Sequence, residues 1–390
     1  MPQPMTHLGD LSVADFMTTY WQKQPVLLRG VFPGFASPIT PQDLLSLACE
    51  PDATSRLIME EGGDYPWQLH YGPFEPDELS DLPKSKWTVL VQEVDRLVPA
   101  MNDLLQRFRF VPNWRLDDLM VSYAPEGGTV GAHIDNYDVF LIQGWGHRRW
   151  GINHTPVEEE VLVPDMDVSM LADFEADAEW VLAPGDVLYL PPRIAHYGVA
   201  IDDCMTFSVG FRAPSPQDLL LKLLEELTES GDDDSERYSD PNLAPAKAPG
   251  LIADAELGRL RAMLTDALGD RATLDAWLGQ YLTRPRRPSY DDYYDDDEDT
   301  GDDAVDWRAA LAQGATLCRR SVPELAFFAQ PDGHATLLVS GTAFADVPPE
   351  AAALLTGTDA LTADALAAHG DALDAAIDHA LATGALEVAA

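Results

Sequence analysis

GAHIDNYDVF, residues 131–140, sets a histidine and an aspartate two positions apart at the head of an apolar, β-prone run. In a strand, side chains two apart share a face, so His133, Asp135 and Tyr137 would present imidazole, carboxylate and phenol together. Outward from this stretch, the chain from Pro25 to about residue 214 reads as short β-like runs: WTVLVQEV, LMVSYA, YDVFLIQG, RRWGI, EWVLA, DVLYLP and MTFSVGF. Many short strands punctuated by Gly, Pro and Asp indicate a sandwich or barrel, not a parallel α/β sheet. Before them, Ser12 is positioned to cap a short amphipathic helix in LSVADFMTTYW.

A His-x-Asp pair is weak evidence alone, and the chain carries its own control. His369-Gly370-Asp371 lies between Ala-rich helical runs, where Gly370 reads as a helix stop and Asp371 as the next N-cap. His133 instead follows the flexible turn PEGGTVG, and the downstream segment APGDVLYLPPRIAH (183–196) can return a second imidazole, His196. Two histidines and one carboxylate form the facial set of non-haem iron(II), which leaves positions open for substrates. Zinc competes, but catalytic zinc more often keeps a single open position. If the co-substrate is 2-oxoglutarate, its distal carboxylate needs a buried cation. GWGHRRW (144–150) offers Arg148 and Arg149, which point to opposite faces of any strand.

After FRAPSP the pattern turns helical. Ser215 can cap LLLKLLEELTE, a polar linker spans 231–250, and AELGRLRAMLTDAL and ATLDAWLGQYL repeat apolar residues at helical spacing, the usual mark of a core or a helix–helix interface. The run 284–303 passes from a basic knot to an acidic block and reads as a second linker. Beyond it, DWRAALAQGATLCRR looks helical, a hairpin turns at Pro331-Asp332-Gly333, and two Ala-rich helices close the chain, an order resembling a winged helix.

The net charge of −41 argues against direct contact with nucleic acid and suits a basic protein partner. Three cysteines without a CxxC pair, no signal-peptide pattern and no apolar run of membrane-spanning length predict a cytoplasmic protein without a membrane association.

Taken together, YWQKQPVLLRG (20–30), RLDDLMVSY (115–123), GAHIDNYDVFLIQGWGHRRW (131–150), PGDVLYLPPRIAH (184–196) and FSVGFRAP (207–214), with YSDP at 238–241, resemble the JmjC-type ribosomal oxygenases. The similarity is to the bacterial branch, which hydroxylates an arginine of large-subunit ribosomal protein L sixteen. The resemblance implies a mainly β oxygenase domain over 1–214, a double-stranded β-helix of the cupin/JmjC type. It also implies an α-helical dimerisation module over 215–300, hence a homodimer, and a winged-helix-like α+β domain over 301–390. It implies Fe(II) held by His133, Asp135 and His196, 2-oxoglutarate held by Arg148 with a hydroxyl contact from Ser122, and a target pocket of Asp118, Met120, Tyr137 and Ser208. The implied products are hydroxyarginine, succinate and carbon dioxide. Asp118 suits a cationic side chain, with Tyr137 and Met120 against the guanidinium plane and its aliphatic stem. The competing readings are a related oxygenase acting on histidine or lysine, a metal cupin that does not use 2-oxoglutarate, and a non-enzymatic acidic chaperone of ribosomal proteins.

Overall fold

The computed structural model describes residues 2–60, 67–164, 166–229, 237–241, 250, 252–285 and 306–389. Most of the two expected linkers, 231–250 and 284–303, lies outside the described residues. The chain forms two compact units, one of Met1–Ala213 with Thr283–Ala390 and the other of Pro214–Leu282.

The site-bearing strands are β1 Val26–Leu28, β2 Ser55–Glu60, β3 Trp67–Tyr71, β4 Trp87–Val91, β5 Leu116–Ala124, β6 Val139–Trp145, β7 Arg148–Ile152, β8 Ala178–Leu182, β9 Val187–Leu190, β10 His196–Ala200 and β11 Cys204–Phe211. An eight-stranded antiparallel sheet runs β1-β9-β6-β11-β5-β4-β2-β3, and a three-stranded one runs β8-β7-β10. The two-residue period of a strand divides each central sequence between two tasks. On β5, Leu119, Val121 and Tyr123 enter the main core, whereas Asp118, Met120 and Ser122 line a cavity on the opposite face. On β11, Met205, Phe207 and Val209 enter the core, whereas Thr206, Ser208 and Gly210 line the cavity. A second apolar layer, including Val139, Leu141, Trp150, Ile152, Leu182 and Leu188, joins the two sheets as a sandwich.

The core face of the large sheet is covered by helices whose ends are set locally. Ser12 caps Val13–Thr19 through the Asp15 N–H, and Thr40 with Asp43 forms a capping box on Pro41–Leu47. These helices, with Pro99–Gln106, deliver Phe16, Leu44, Met101 and Leu105, all fully buried; each such side chain stabilises by roughly 1.5–3 kcal/mol relative to exposure.

The C-terminal part of this unit contains a three-stranded antiparallel sheet of Leu325–Ala329, Ala335–Val339 and Thr342–Val347, whose first hairpin turns at 331–333 as the sequence predicts. The segment 307–319 is not one helix. The helix Trp307–Ala312 stops before Gly314, which has φ +100°, and Thr316–Arg319 pairs with Leu386–Ala389, so the chain closes on a strand after its Ala-rich helices. Arg319 fastens this region: its guanidinium donates to the carbonyls of Leu354, Leu355 and Asp359 (2.6–2.9 Å), at and just beyond the C-terminal end of the helix Pro349–Thr356. The Arg319 carbonyl in turn accepts from Asn102 (2.8 Å), and Arg109 donates to the Gly357 carbonyl (2.7 Å). Burial pushes both guanidiniums down to about 10.

In the second unit, Ser215 and Asp218 cap the helix Pro216–Glu229 reciprocally, and the helices Asp254–Ala267 and Arg271–Thr283 follow. Trp277 is buried and stacks on Tyr281, but Asp254–Ala267 buries none of its residues. Its leucines, expected as core or interface, are not core within this chain. Among the described residues no helix is long and apolar enough to cross a membrane.

Candidate active site

His133 does not begin a strand, in contrast to the sequence expectation. It forms an isolated antiparallel bridge with His196, and the regular strand starts only at Val139 after a bend at Asn136–Tyr137. The common face of a strand therefore does not align His133, Asp135 and Tyr137; a single-pair bridge does the work for the histidines. Their backbones exchange both hydrogen bonds, His133 N–H to His196 O (3.1 Å) and His196 N–H to His133 O (3.0 Å), which sets the ring centroids 4.2 Å apart. Each Nδ1 lies against the carbonyl two residues earlier, Gly131 for His133 (3.0 Å) and Ile194 for His196 (2.9 Å). With the Nδ1 protons on those carbonyls, both Nε2 lone pairs are turned toward a common point. Asp135 Oδ2 approaches His196 Nε2 at 3.6 Å, and ligand atoms of all three residues lie within 4.8 Å of one another. Burial, with the His133 ring beside it, pushes His196 down to about 4 despite Asp135, so its imidazole is neutral and available as a ligand near neutral pH.

The triad opens into a cavity of about 550 Å³. Arg148 lines it, whereas Arg149 faces solvent, because β7 pairs at Arg148 with Leu182 and Ala200 and turns the next side chain outward. The Arg148 residue is only 2% exposed, its guanidinium stands 5.7 Å from the Trp150 ring centroid, and its Nε and Nη2 have no hydrogen-bond partner among the described residues. Buried donors are normally satisfied, so this one is fitted to an anion entering the cavity. A facial two-histidine, one-carboxylate set beside an unpaired buried guanidinium is a donor set suited to iron(II) with a dicarboxylate co-substrate.

A model of the JmjC domain matches residues 103–219, the interval holding this entire constellation. The ribosomal protein uL16 3-hydroxylase of Escherichia coli is 36% identical over 319 residues, covering 79% of this chain and 80% of that protein. The chain belongs to the JmjC ribosomal oxygenases. A probable ribosomal oxygenase of Haemophilus influenzae is 36% identical over 269 residues, covering 68% of this chain and 66% of that protein. The structure of the E. coli ribosomal oxygenase YcfD in complex with cobalt and 2-oxoglutarate superposes with a TM-score of 0.76 at 32% identity, covering 96% of this chain and 97% of that one. A further X-ray structure of the E. coli protein gives a TM-score of 0.81 over 98% of this chain and 100% of that chain.

The rest of this oxygenase's cavity includes hydroxyl and acidic side chains, among them Thr206, Asp117 and Asp167. Asp118, Met120, Ser122, Tyr137 and Ser208 all line it, so the structure brings every sequence-nominated site residue together with the triad and Arg148. Asp118 accepts from the Glu93 N–H (3.1 Å), and Arg212 stands 3.8 Å from Asp117. Ser122 is buried and faces the Thr206 carbonyl at 3.5 Å. Tyr137 is 40% exposed at the cavity edge; burial of its hydroxyl end and the Asp135 and Asp118 carboxylates push the phenol up, so it stays protonated.

Sequence reasoning missed Thr206, Trp150, Arg56, Tyr71 and Asp117 as lining residues. Thr206 was accessible, since it precedes Ser208 by two on the same strand face. Arg56 and Tyr71 carry no motif and arrive from β2 and β3, which reach the cavity through long-range strand pairing.

Proposed function

We propose that this chain is an iron(II)- and 2-oxoglutarate-dependent hydroxylase of an arginine side chain in ribosomal protein uL16, the L sixteen of the large subunit. The observation that carries the reading is the unpaired, buried Arg148 guanidinium in the same cavity as the three convergent ligands. His133, Asp135 and His196 would hold the metal, and Arg148 would take the distal carboxylate of 2-oxoglutarate, with the Ser122 hydroxyl beside it. Bound there, the metal and co-substrate would supply the reduction of dioxygen, one oxygen atom going to succinate as 2-oxoglutarate loses carbon dioxide and the other into a C–H bond of the target.

The chain's own residues supply position and charge. The backbone bridge and the two carbonyl-anchored Nδ1 atoms hold the imidazoles in one tautomer and orientation before any ligand arrives. Asp118, beside Asp117, offers negative charge to an incoming guanidinium, while Met120 and Tyr137 flank its stem and Ser208 offers a hydroxyl. The acidic chain would steer a basic ribosomal protein toward this mouth. The names of the E. coli and H. influenzae relatives support the ribosomal substrate, and the acidic wall supports arginine over a neutral target.

The same reading takes 215–300 as a homodimerisation module, supported by exposed Leu220, Leu221, Leu224 and Leu264, and 301–390 as winged-helix-like, supported by its three-stranded sheet and short helices. It also takes the protein as cytoplasmic, acting without direct nucleic-acid contact. Incubation with iron(II), 2-oxoglutarate and a basic loop peptide of uL16 under air is expected to add one oxygen to an arginine, read by fragment mass spectrometry. His133→Ala and Asp135→Ala should abolish the addition with unchanged circular dichroism. Normal hydroxylation by either variant would remove the ligand assignment, and oxygen on a non-arginine residue would replace the substrate.

A further inference from the structure

The double-proline loop between β9 and β10 places Arg193 in the left-handed region, φ +67°, which is disfavoured for a residue with a Cβ. Glycine would occupy that position without strain, so the side chain's contacts are the reason to look at it. Those contacts, together with two main-chain bonds of the same residue, run in two directions. Toward the ligand segment, the Arg193 N–H donates to the Asp135 carbonyl (2.7 Å) and Nη1 donates to Asn136 Oδ1 (3.1 Å). Toward the segment that follows β7, Nε donates to the Val157 carbonyl (2.6 Å), Nη2 to the Glu158 carbonyl (3.0 Å), and the Val157 N–H returns a bond to the Arg193 carbonyl (2.9 Å).

The stretches 157–164 and 166–172 meet at the Leu162–Leu171 bridge and send Glu160, Asp167, Val168 and Ser169 to the cavity wall. Their far end is tied by the Leu171 N–H to the Ala132 carbonyl (2.8 Å), next to His133, and Met170 lies where any Cβ on Gly131 would fall. Their near end is tied by Arg193 to the residues around Asp135. This wall therefore hangs from the two segments that carry His133 and Asp135.

We propose that Arg193 is a positioning residue, which docks the 157–172 flap on the ligand segment and so shapes the mouth that receives the protein substrate. The proposal rests on the protein-hydroxylase reading only for its kinetic half. Loss of the side chain removes the bonds to Val157, Glu158 and Asn136 and loosens the near end of the flap, while the main-chain bonds of residue 193 to Asp135 and Val157, the His133–His196 bridge and Arg148 stay in place, so substrate capture suffers and the chemistry does not.

The test uses the full-length protein and Arg193→Gly, which suits the backbone conformation and keeps folding out of the comparison. Hydrogen exchange followed by mass spectrometry is expected to quicken in peptides covering 157–172 and to stay the same in β5 and β11. The KM for the uL16 loop peptide should rise about tenfold, on the scale of lost charge-assisted hydrogen bonds, with kcat and cobalt(II) binding within about twofold of wild type. Arg193→Lys, which can satisfy a carbonyl but not the fork, should fall between the two. Unchanged flap exchange would overturn the proposal, as would faster exchange with an unchanged KM, or a joint fall of kcat, cobalt binding and melting temperature. If wild type leaves the peptide unmodified, the hydroxylase reading falls, and the exchange comparison still decides whether Arg193 holds the flap.

Discussion

Two arginines of this chain are almost wholly removed from water, and they are opposites. Arg319, 1% exposed, spends its guanidinium on the carbonyls of Leu354 and Leu355 at the end of a helix and of Asp359 just beyond it, so each nitrogen of its planar fork donates to protein. Arg148, 2% exposed, faces a cavity with Nε and Nη2 unpaired, and its neighbour is the Trp150 ring. Burial alone does not separate a structural cation from one that awaits a ligand; the state of its hydrogen bonds does. Asp138 repeats the first pattern with the opposite charge. It is fully buried and is met by Arg115, Gln22 and the Tyr189 hydroxyl, so it serves the fold.

The comparison predicts opposite consequences for the same substitution. Arg148→Met should cost turnover about 100-fold or more, because under the proposed reading the co-substrate loses its charged anchor. Its stability should equal or exceed that of wild type, since an unpaired buried charge has been replaced by an apolar side chain. Succinate release and thermal melting measured on one preparation decide it, and a variant that melts early would mean that Arg148 also supports the sandwich. Arg319→Met should do the reverse. The helix-end carbonyls of Leu354 and Leu355 and the carbonyl of Asp359 lose their donors, an effect of about 3 kcal/mol on unfolding, while the folded fraction keeps its turnover. Urea unfolding in parallel with activity per folded molecule checks this, and wild-type stability in the variant would show that those carbonyls find water or other donors.

Which of these features could be read from the chain depends on how local their causes are. The triad was legible because each of its residues sits in a short motif with its own turn chemistry, GAHID and PPRIAH, although only His196 begins a regular strand and His133 reaches it through a single-pair bridge. The second His-x-Asp pair shows what the motif lacks by itself. His369 and Asp371 lie in and beside a 3₁₀ turn, Gly370–Leu373, and belong to no metal-competent cluster among the described residues; Asp371 is inside that turn and does not cap the next helix, whose N-cap is Leu373. The choice between Arg148 and Arg149 needed the register of β7 against β8 and β10, which a single strand does not contain. Tyr137 reaches the cavity through a bend and not through strand alternation. The strand Thr316–Arg319 was misread as helix because its partner lies some seventy residues downstream, and local periodicity does not register so distant a pairing.

Another buried ionisable group lies between the two arginines in character and gives the smallest predicted effect. Asp95 is 4% exposed and accepts from the Leu119 N–H (2.8 Å), which fixes the stretch of β5 between the cavity residues Asp118 and Met120. Burial, helped by the Asp118 and Glu93 carboxylates and opposed by that hydrogen bond, pushes its carboxyl up to about 8. Between the ordinary value of 3.8 and about 8, the folded chain therefore holds a proton that the unfolded chain releases. The unfolded state binds fewer protons in that window, so this group's contribution to stability falls as pH rises through it. Asn can still accept from the Leu119 N–H and does not titrate. Asp95→Asn should thus gain melting temperature relative to wild type between pH 5 and pH 8, by a few degrees at most, with hydroxylation kept because the β5 backbone stays in place. A relative melting temperature that does not change with pH would mean that Asp95 titrates normally, which would move it to the side of Asp138, a buried charge whose partners are complete.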